Sequence, residues 1–324
     1  MIISIQFLRF IAAFLVFIHH IYVIQGVETS LGYRGVDLFF VVSGFVIYIV
    51  TEKENKNFFL NRLIRIVPMY WSFTILLIFL FYFFGAYINS EKLNASMIIQ
   101  SLLFIPFYNE NFGSFSPILN IGWTLNYEMF FYLIFYISML ISVRYRALIC
   151  SMTIVLFFLI GFFLQDSKIY FYSNTIVFEF ILGMIVGSIY VNKKYHANNA
   201  YLHILFGSLF FIPLLSIYLT NLPRVLVPGL ISTFIVFMYV FSEPIFKRKK
   251  THKKIIESLG DISYAMYLCH YFVIVFFIRI LEINLLISAI FYIPIILIVT
   301  LMVSYVITYY YDYPIRGYLK KIKA

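Results

Sequence analysis

Arg9, His19 and His20 sit in an otherwise apolar stretch near the start of the chain. An ionisable group inside a bilayer is expensive and usually functional. Arg9 and His20 are eleven positions apart, which on a helix is 1100°, about 20° from a common face and about 16 Å along the axis. His19 points roughly 80° away. One face therefore carries a fixed cation towards one end and a titratable base towards the other. A histidine is the side chain suited to taking a proton near neutral pH. On spacing alone the alternative stays open: Arg9 snorkels to one interface and His20 sits at the other.

Further carboxylates and guanidiniums follow. The block Gly35-Val36-Asp37-Leu38-Phe39-Phe40-Val41-Val42-Ser43-Gly44-Phe45 puts Asp37 at the outer end of a second apolar run, near the expected depth of His20. Trp123-Thr124-Leu125-Asn126-Tyr127-Glu128 puts Glu128 about a turn and a half inside another. A carboxylate there needs a partner, and a histidine at similar depth is a reasonable one, its tautomer then held by the acid. For Asp37, capping its helix at the interface is the competing role. Arg62 and Arg65, three apart, share one helix face and suit bidentate phosphate binding. Anchoring the chain at the membrane surface would explain them equally.

The elements that position these residues follow from composition. The 324 residues are 63% hydrophobic, 21% aromatic and only 12% charged. Soluble domains are near half apolar and a quarter charged, so this balance excludes a soluble enzyme, a secreted module and a disordered chain. Cys150 and Cys269 lie in apolar runs and indicate no disulfide framework. A spanning helix needs about 20 apolar residues. Runs near 2–24, 36–51, 66–86, 123–142, 147–165, 175–191, 201–220, 224–242, 263–282 and 285–309 predict an all-α integral membrane protein with about ten transmembrane helices. The expectation is one polytopic domain over 1–324, with no appended soluble domain. The stretch 95–108 is too short to span and reads as an interfacial or re-entrant element.

Ten spans put both termini on one side. With that side cytoplasmic, the inner segments hold eighteen cations, including Arg62, Arg65, Lys247–Lys250 and Lys320–Lys323, against four outside. This satisfies the positive-inside rule and accounts for a net charge of +10 without nucleic acid. No A-x-A cleavage site follows the first run, so it reads as a retained helix. No dinucleotide fingerprint, Walker loop or zinc spacing is present, so no metal is expected. Gly183-x-x-x-Gly187 reads as close helix packing.

Six motifs in series resemble the membrane acyltransferase-3 family. They are Arg9 with His20, the GVDLFFVVSGF block, Arg62-x-x-Arg65, Trp123-Thr124-Leu125-x-x-Glu128, the run Gly260–His270, and Asp312-Tyr313-Pro314-Ile315-Arg316. The resemblance runs from Ser4 to Arg316. It implies a multi-pass protein of the bacterial cytoplasmic (inner) membrane that moves an acyl group, mostly acetyl, from cytoplasmic acyl-CoA to a hydroxyl of an extracytoplasmic or lipid-linked glycan. It also implies a catalytic Arg9–His20 pair, with Glu128 and Asp37 as further catalytic candidates. Arg62 and Arg65, with Arg9, would bind the donor. The partners implied are acetyl-CoA as co-substrate, a glycan or lipid-linked saccharide acceptor and membrane lipids. The role of His270 stays open, as does direct transfer against a transient acyl-histidine. Asp312 stands where the family more usually has Glu, and Asn126-Tyr127 are atypical before Glu128. The rival class is a transporter or flippase with Arg, His and Glu as a relay; the charged helices cluster in the first 130 residues, without half-to-half similarity.

Overall fold

The computed structural model describes residues 2–24, 26, 31–53, 57–84, 93–110, 112–165, 168–192, 225–247, 250–281 and 285–323. The apolar run 201–220, and Lys56, Lys92, Lys193, Lys194, Arg224, Arg248 and Lys249 among the cations, lie outside them. Apart from turns and short connections, the described chain is helical, with one antiparallel ribbon of two residues a strand, in which β1 (Tyr108–Asn109) pairs with β2 (Ser114–Phe115). Among the described residues, eight helices are long and apolar enough to cross a membrane, and Leu226–Phe241 is a shorter apolar helix. The protein is an all-α, multi-pass membrane protein. Several helices outrun their apolar stretches. The second begins at Leu31, the third at Phe58 and the ninth apolar run extends back to Lys250. Hydropathy senses only the part matched to lipid, whereas backbone hydrogen bonding carries a helix past it.

The chain divides into two compact units, Met1–Glu52 with Phe178–Tyr313, and Lys53–Val177 with Pro314–Ala324. In the first, α1 (Ile3–Ile24) is the central helix. Its Ile5, Leu8 and Ala12 pack with Leu38, Val41 and Phe45 of α2 (Leu31–Lys53), Val186 of α7 (Phe178–Asn192), and Val236 and Tyr239 of α8 (Leu230–Phe241). Ala13, Phe17 and Ile21 pack with Met266, Val273 and Ile274 of α9 (Lys250–Val275) and Ile296 of α10 (Leu285–Val306). Spacings of three and four place these two sets on separate faces of α1.

Lipid offers little hydrophobic drive between helices, so close approach at small residues matters. A Cβ on Gly44 would sit 2.2 Å from the Phe180 carbonyl oxygen, and one on Gly183 would sit 2.1 Å from that of Val41. Gly187 meets Tyr48. The small-residue spacing in α7 is thus the seam of α2 with α7. At the other end of α2, Gly32 lies against His19 and Gly35 against Ala12 and Val16, so α2 runs antiparallel to α1.

The second unit holds α3 (Phe58–Phe84), α4 (Ala95–Leu102), the ribbon, α5 (Trp123–Ile141) and α6 (Arg146–Phe163). The expected non-spanning element is α4, eight residues long and capped by Asn94, whose Oδ1 accepts from Met97 N at 2.8 Å. It is pinned to α3: Tyr70 Oη donates to Ser101 O (3.1 Å) and Trp71 Nε1 to Leu102 O (2.8 Å). The C-terminal α11 (Tyr313–Lys323) follows a π-helical segment, Ile307–Asp312.

Candidate functional site

In the first unit, Arg9 and His20 both lie on α1, as their spacing predicts. Arg9 donates through Nη1 to Gln6 Oε1 (2.9 Å), and Gln6 Nε2 reaches Asp261 Oδ1 of α9 at 3.5 Å. His20 is half-buried. Its Nδ1 lies 2.9 Å from Val16 O and 3.2 Å from Nε2 of the fully buried His270. His270 Nδ1 lies in turn 3.0 Å from Met266 O. The ring of His19 meets His20 edge-on and packs by Tyr33, towards α2. Two of the chemistry-bearing residues of α1 therefore answer to the same neighbour, α9.

Asp37 is buried, and its Oδ2 lies 3.7 Å from Arg34 Nη1. It is the seventh residue of α2 rather than its first, so the capping role does not apply. The antiparallel packing of Gly35 on Ala12 and Val16 carries Asp37 deeper along α1 than His20. The expectation of equal depth took the helix to begin at Gly35.

The second unit gathers Arg62, Arg65 and Glu128. Arg62 and Arg65 lie within the first turns of α3 rather than ahead of it. The buried Arg62 guanidinium lies over the rings of Phe58 (5.7 Å) and Tyr132 (5.6 Å). Tyr132 Oη donates to Glu128 Oε1, and both Glu128 and Arg65 act electrostatically on Arg62. A planar cation held between aromatic faces keeps its orientation. Glu128, which the sequence suggests as a histidine partner, thus lies with Tyr132 and Arg62 within its own unit.

Sequence reasoning missed Gln6, Asp261, Tyr132 and Glu243. Tyr132 was accessible, since it lies at i+4 from Glu128. Gln6 was accessible as the polar residue three before Arg9. Glu243 was not. Its carboxylate accepts from the backbone N–H groups of Ile3 and Ser4, each at 2.8 Å, closing the amino end of α1 from 240 residues away. Lys247 Nζ lies 3.2 Å from the same carboxylate. Among the described residues, no His/Cys/Asp/Glu group is arranged to hold a metal ion.

The family model for an acyltransferase domain, acyltransferase-3, matches residues 2–309. The chain belongs to the acyltransferase-3 family. One relative is the exopolysaccharide production protein ExoZ of Rhizobium meliloti (strain 1021), 29% identical over 177 residues, 52% of this chain and 54% of that protein. A second, named as an acetyltransferase (ORF330), comes from Acidianus two-tailed virus and is 26% identical over 280 residues, 81% of this chain and 80% of the other. The chain spans about half the length of the first of these relatives. No solved structure matches. Among the described residues, Arg9 with His20 lies on α1 and Arg62 with Arg65 on α3.

Proposed function

We propose that the chain moves an acyl group, acetyl in the first instance, from cytoplasmic acyl-CoA to a hydroxyl of an extracytoplasmic or lipid-linked cell-surface glycan. His20 is the general base. The membrane is the bacterial inner membrane, crossed ten times with both termini cytoplasmic. The carrying observation is a membrane-embedded histidine whose ring is oriented through one nitrogen, in a chain matched by the family model over residues 2–309. The name of ExoZ supports a polysaccharide as acceptor.

The guanidiniums of Arg62 and Arg65 suit the phosphates of the donor. Glu128 and Tyr132 brace Arg62 for that contact, and Arg9 lines the path of the donor's arm. Asp37, paired with Arg34, sets the adjoining stretch of α2. His20 takes the acceptor's hydroxyl proton as its oxygen attacks the thioester carbonyl. The tetrahedral oxyanion that forms is stabilised by the fixed charges of a low-dielectric site. It collapses by breaking the C–S bond, leaving an ester on the acceptor. The imidazolium returns its proton to the departing thiolate. Neither cysteine serves as nucleophile in this scheme, since Cys150 and Cys269 are both buried.

The test is expression of wild type and His20→Ala, at matched membrane levels, in the native host deleted for the gene. Surface and lipid-linked glycans are then analysed for O-acetyl by mass spectrometry. Acetyl present with wild type and absent with the variant supports the reading. Full acetylation by His20→Ala removes His20 from catalysis.

A further inference from the structure

We infer that His270 is the positioning residue of the reaction: it accepts the Nδ1–H of His20 alongside the Val16 carbonyl, and so fixes the turn of the ring that leaves the Nε2 lone pair to face substrate. The inference rests on the reading of His20 as base. A carbonyl oxygen only accepts. His270 Nδ1 lies 3.0 Å from Met266 O, so that nitrogen carries its proton. A neutral imidazole has one N–H, so His270 Nε2 is an acceptor, and it lies 3.2 Å from His20 Nδ1. His20 Nδ1 is also 2.9 Å from Val16 O. Two acceptors converge on one ring nitrogen, and only an N–H satisfies both. The proton of neutral His20 is therefore on Nδ1, and Nε2 is the basic nitrogen.

The opposite assignment fails on the same distances. A proton on His270 Nε2 would have to be donated to His20 Nδ1, turning the His20 lone pair away from the Val16 carbonyl only by breaking that contact. When His20 takes a proton at Nε2, its Nδ1–H remains in place and both acceptors strengthen, since a charged donor makes the stronger hydrogen bond. This is the orienting role an acid plays in a triad, here filled by a neutral ring with its own proton tied to a backbone carbonyl. His270 is 0% exposed, and its helix is seated tightly on α1. A Cβ on Gly260 would come within 2.4 Å of Gln6 Cβ, so α9 cannot slide without moving the pair.

The test uses the full chain in lipid bilayers, labelled with 15N-histidine, in wild type, His20→Ala, His270→Phe and His270→Gln. Glutamine keeps an acceptor at the depth of Nε2, whereas phenylalanine fills the space without one. The chain has six histidines, and His20→Ala assigns the relevant signal by its disappearance. The expected spectrum has His20 as the Nδ1–H form in all three chains that keep it, because the Val16 carbonyl remains, with the Nδ1–H resonance shifted and broadened in His270→Phe, where the second acceptor is gone, and restored in His270→Gln. Loss of the hydrogen-bond partner that orients a metal-ligating histidine lowers affinity or activity about 10- to 100-fold, and a similar factor is expected for a reacting histidine. Transfer by His270→Phe is expected to fall by that factor in kcat, with the donor KM unchanged and with recovery in His270→Gln. A His20 Nδ1–H resonance in His270→Phe identical to that of wild type overturns the inference, whatever happens to transfer. Equal loss in His270→Phe and His270→Gln also overturns it, because packing alone would then account for the loss. Full transfer by His20→Ala instead defeats the reading of His20 as base, and the Nδ1–H result is unaffected by it.

Discussion

Replacing Glu243 by glutamine perturbs α1 without altering Arg9 or His20 themselves. The carboxylate is 5% exposed and caps two backbone N–H groups, those of Ile3 and Ser4, at 2.8 Å each. The first N–H groups of a helix have no partner within it, and the helix dipole favours an anion there by up to ~2 kcal/mol when partly buried. Glutamine keeps one acceptor oxygen but turns an NH2 towards the second N–H, losing one hydrogen bond to a charged group, about 1.5–3 kcal/mol. Taking ~2 kcal/mol for local opening of the first turn, the protection of those amides falls about 30-fold at 1.4 kcal/mol per decade. Hydrogen exchange followed by mass spectrometry on the N-terminal peptide reads this directly, with a peptide from α6 as internal control. Because Arg9 lies within two turns of the cap, transfer activity should fall with protection. Unchanged exchange of the N-terminal peptide in Glu243→Gln would refute the reasoning, since it would mean that the cap does not hold the helix end.

Gly183→Ala should destabilise the protein by ~1–2 kcal/mol, because overpacking at the Val41 carbonyl, about 1–3 kcal/mol, exceeds the helix gain of alanine over glycine. Gly317→Ala, where a Cβ meets nothing within 4 Å, is the control, and unfolding in detergent compares the two; equal stability of both would contradict the seam. Arg62→Lys keeps the charge but loses the fork and its ring contacts, worth about 1–2 kcal/mol, so the KM for acetyl-CoA should rise about tenfold. An unchanged KM would detach Arg62 from the donor. Cys150 and Cys269, 0% and 1% exposed, should resist a soluble maleimide in the folded protein and react once it is denatured, as mass spectrometry of labelled peptides would report.

What the sequence disclosed followed from local pattern. Apolar runs located the helices because bilayer thickness fixes their length. The spacing of Arg9 and His20 placed both on α1 because helical geometry needs no tertiary contact to predict. Gly183 and Gly187 were legible as a seam because only a missing Cβ allows such approach. The helix starts at Leu31 and Phe58 were not legible, since polar first turns leave the hydrophobic pattern while the backbone ladder continues. Asp37 accordingly came out deeper than its motif suggested.

The partners of the site residues were legible only at short range. Glu128 with Tyr132 and Arg9 with Gln6 are i,i+4 and i,i−3 pairs on single helices. The contacts of His20 with His270 and of Glu243 with Ile3 join residues 250 and 240 positions apart, and no local periodicity encodes them. They share a consequence. The first helix is fixed at its amino end by Glu243, at Arg9 through Gln6 and Asp261, and at His20 by His270. All three anchors come from the chain after Ser242. A helix held at its end, near its middle and at His20 cannot rotate to trade one face for another without breaking polar contacts in a medium that offers no water to replace them. The C-terminal helices therefore set the orientation in which the first helix presents Arg9 and His20, although every catalytic candidate named from local motifs lies before residue 130.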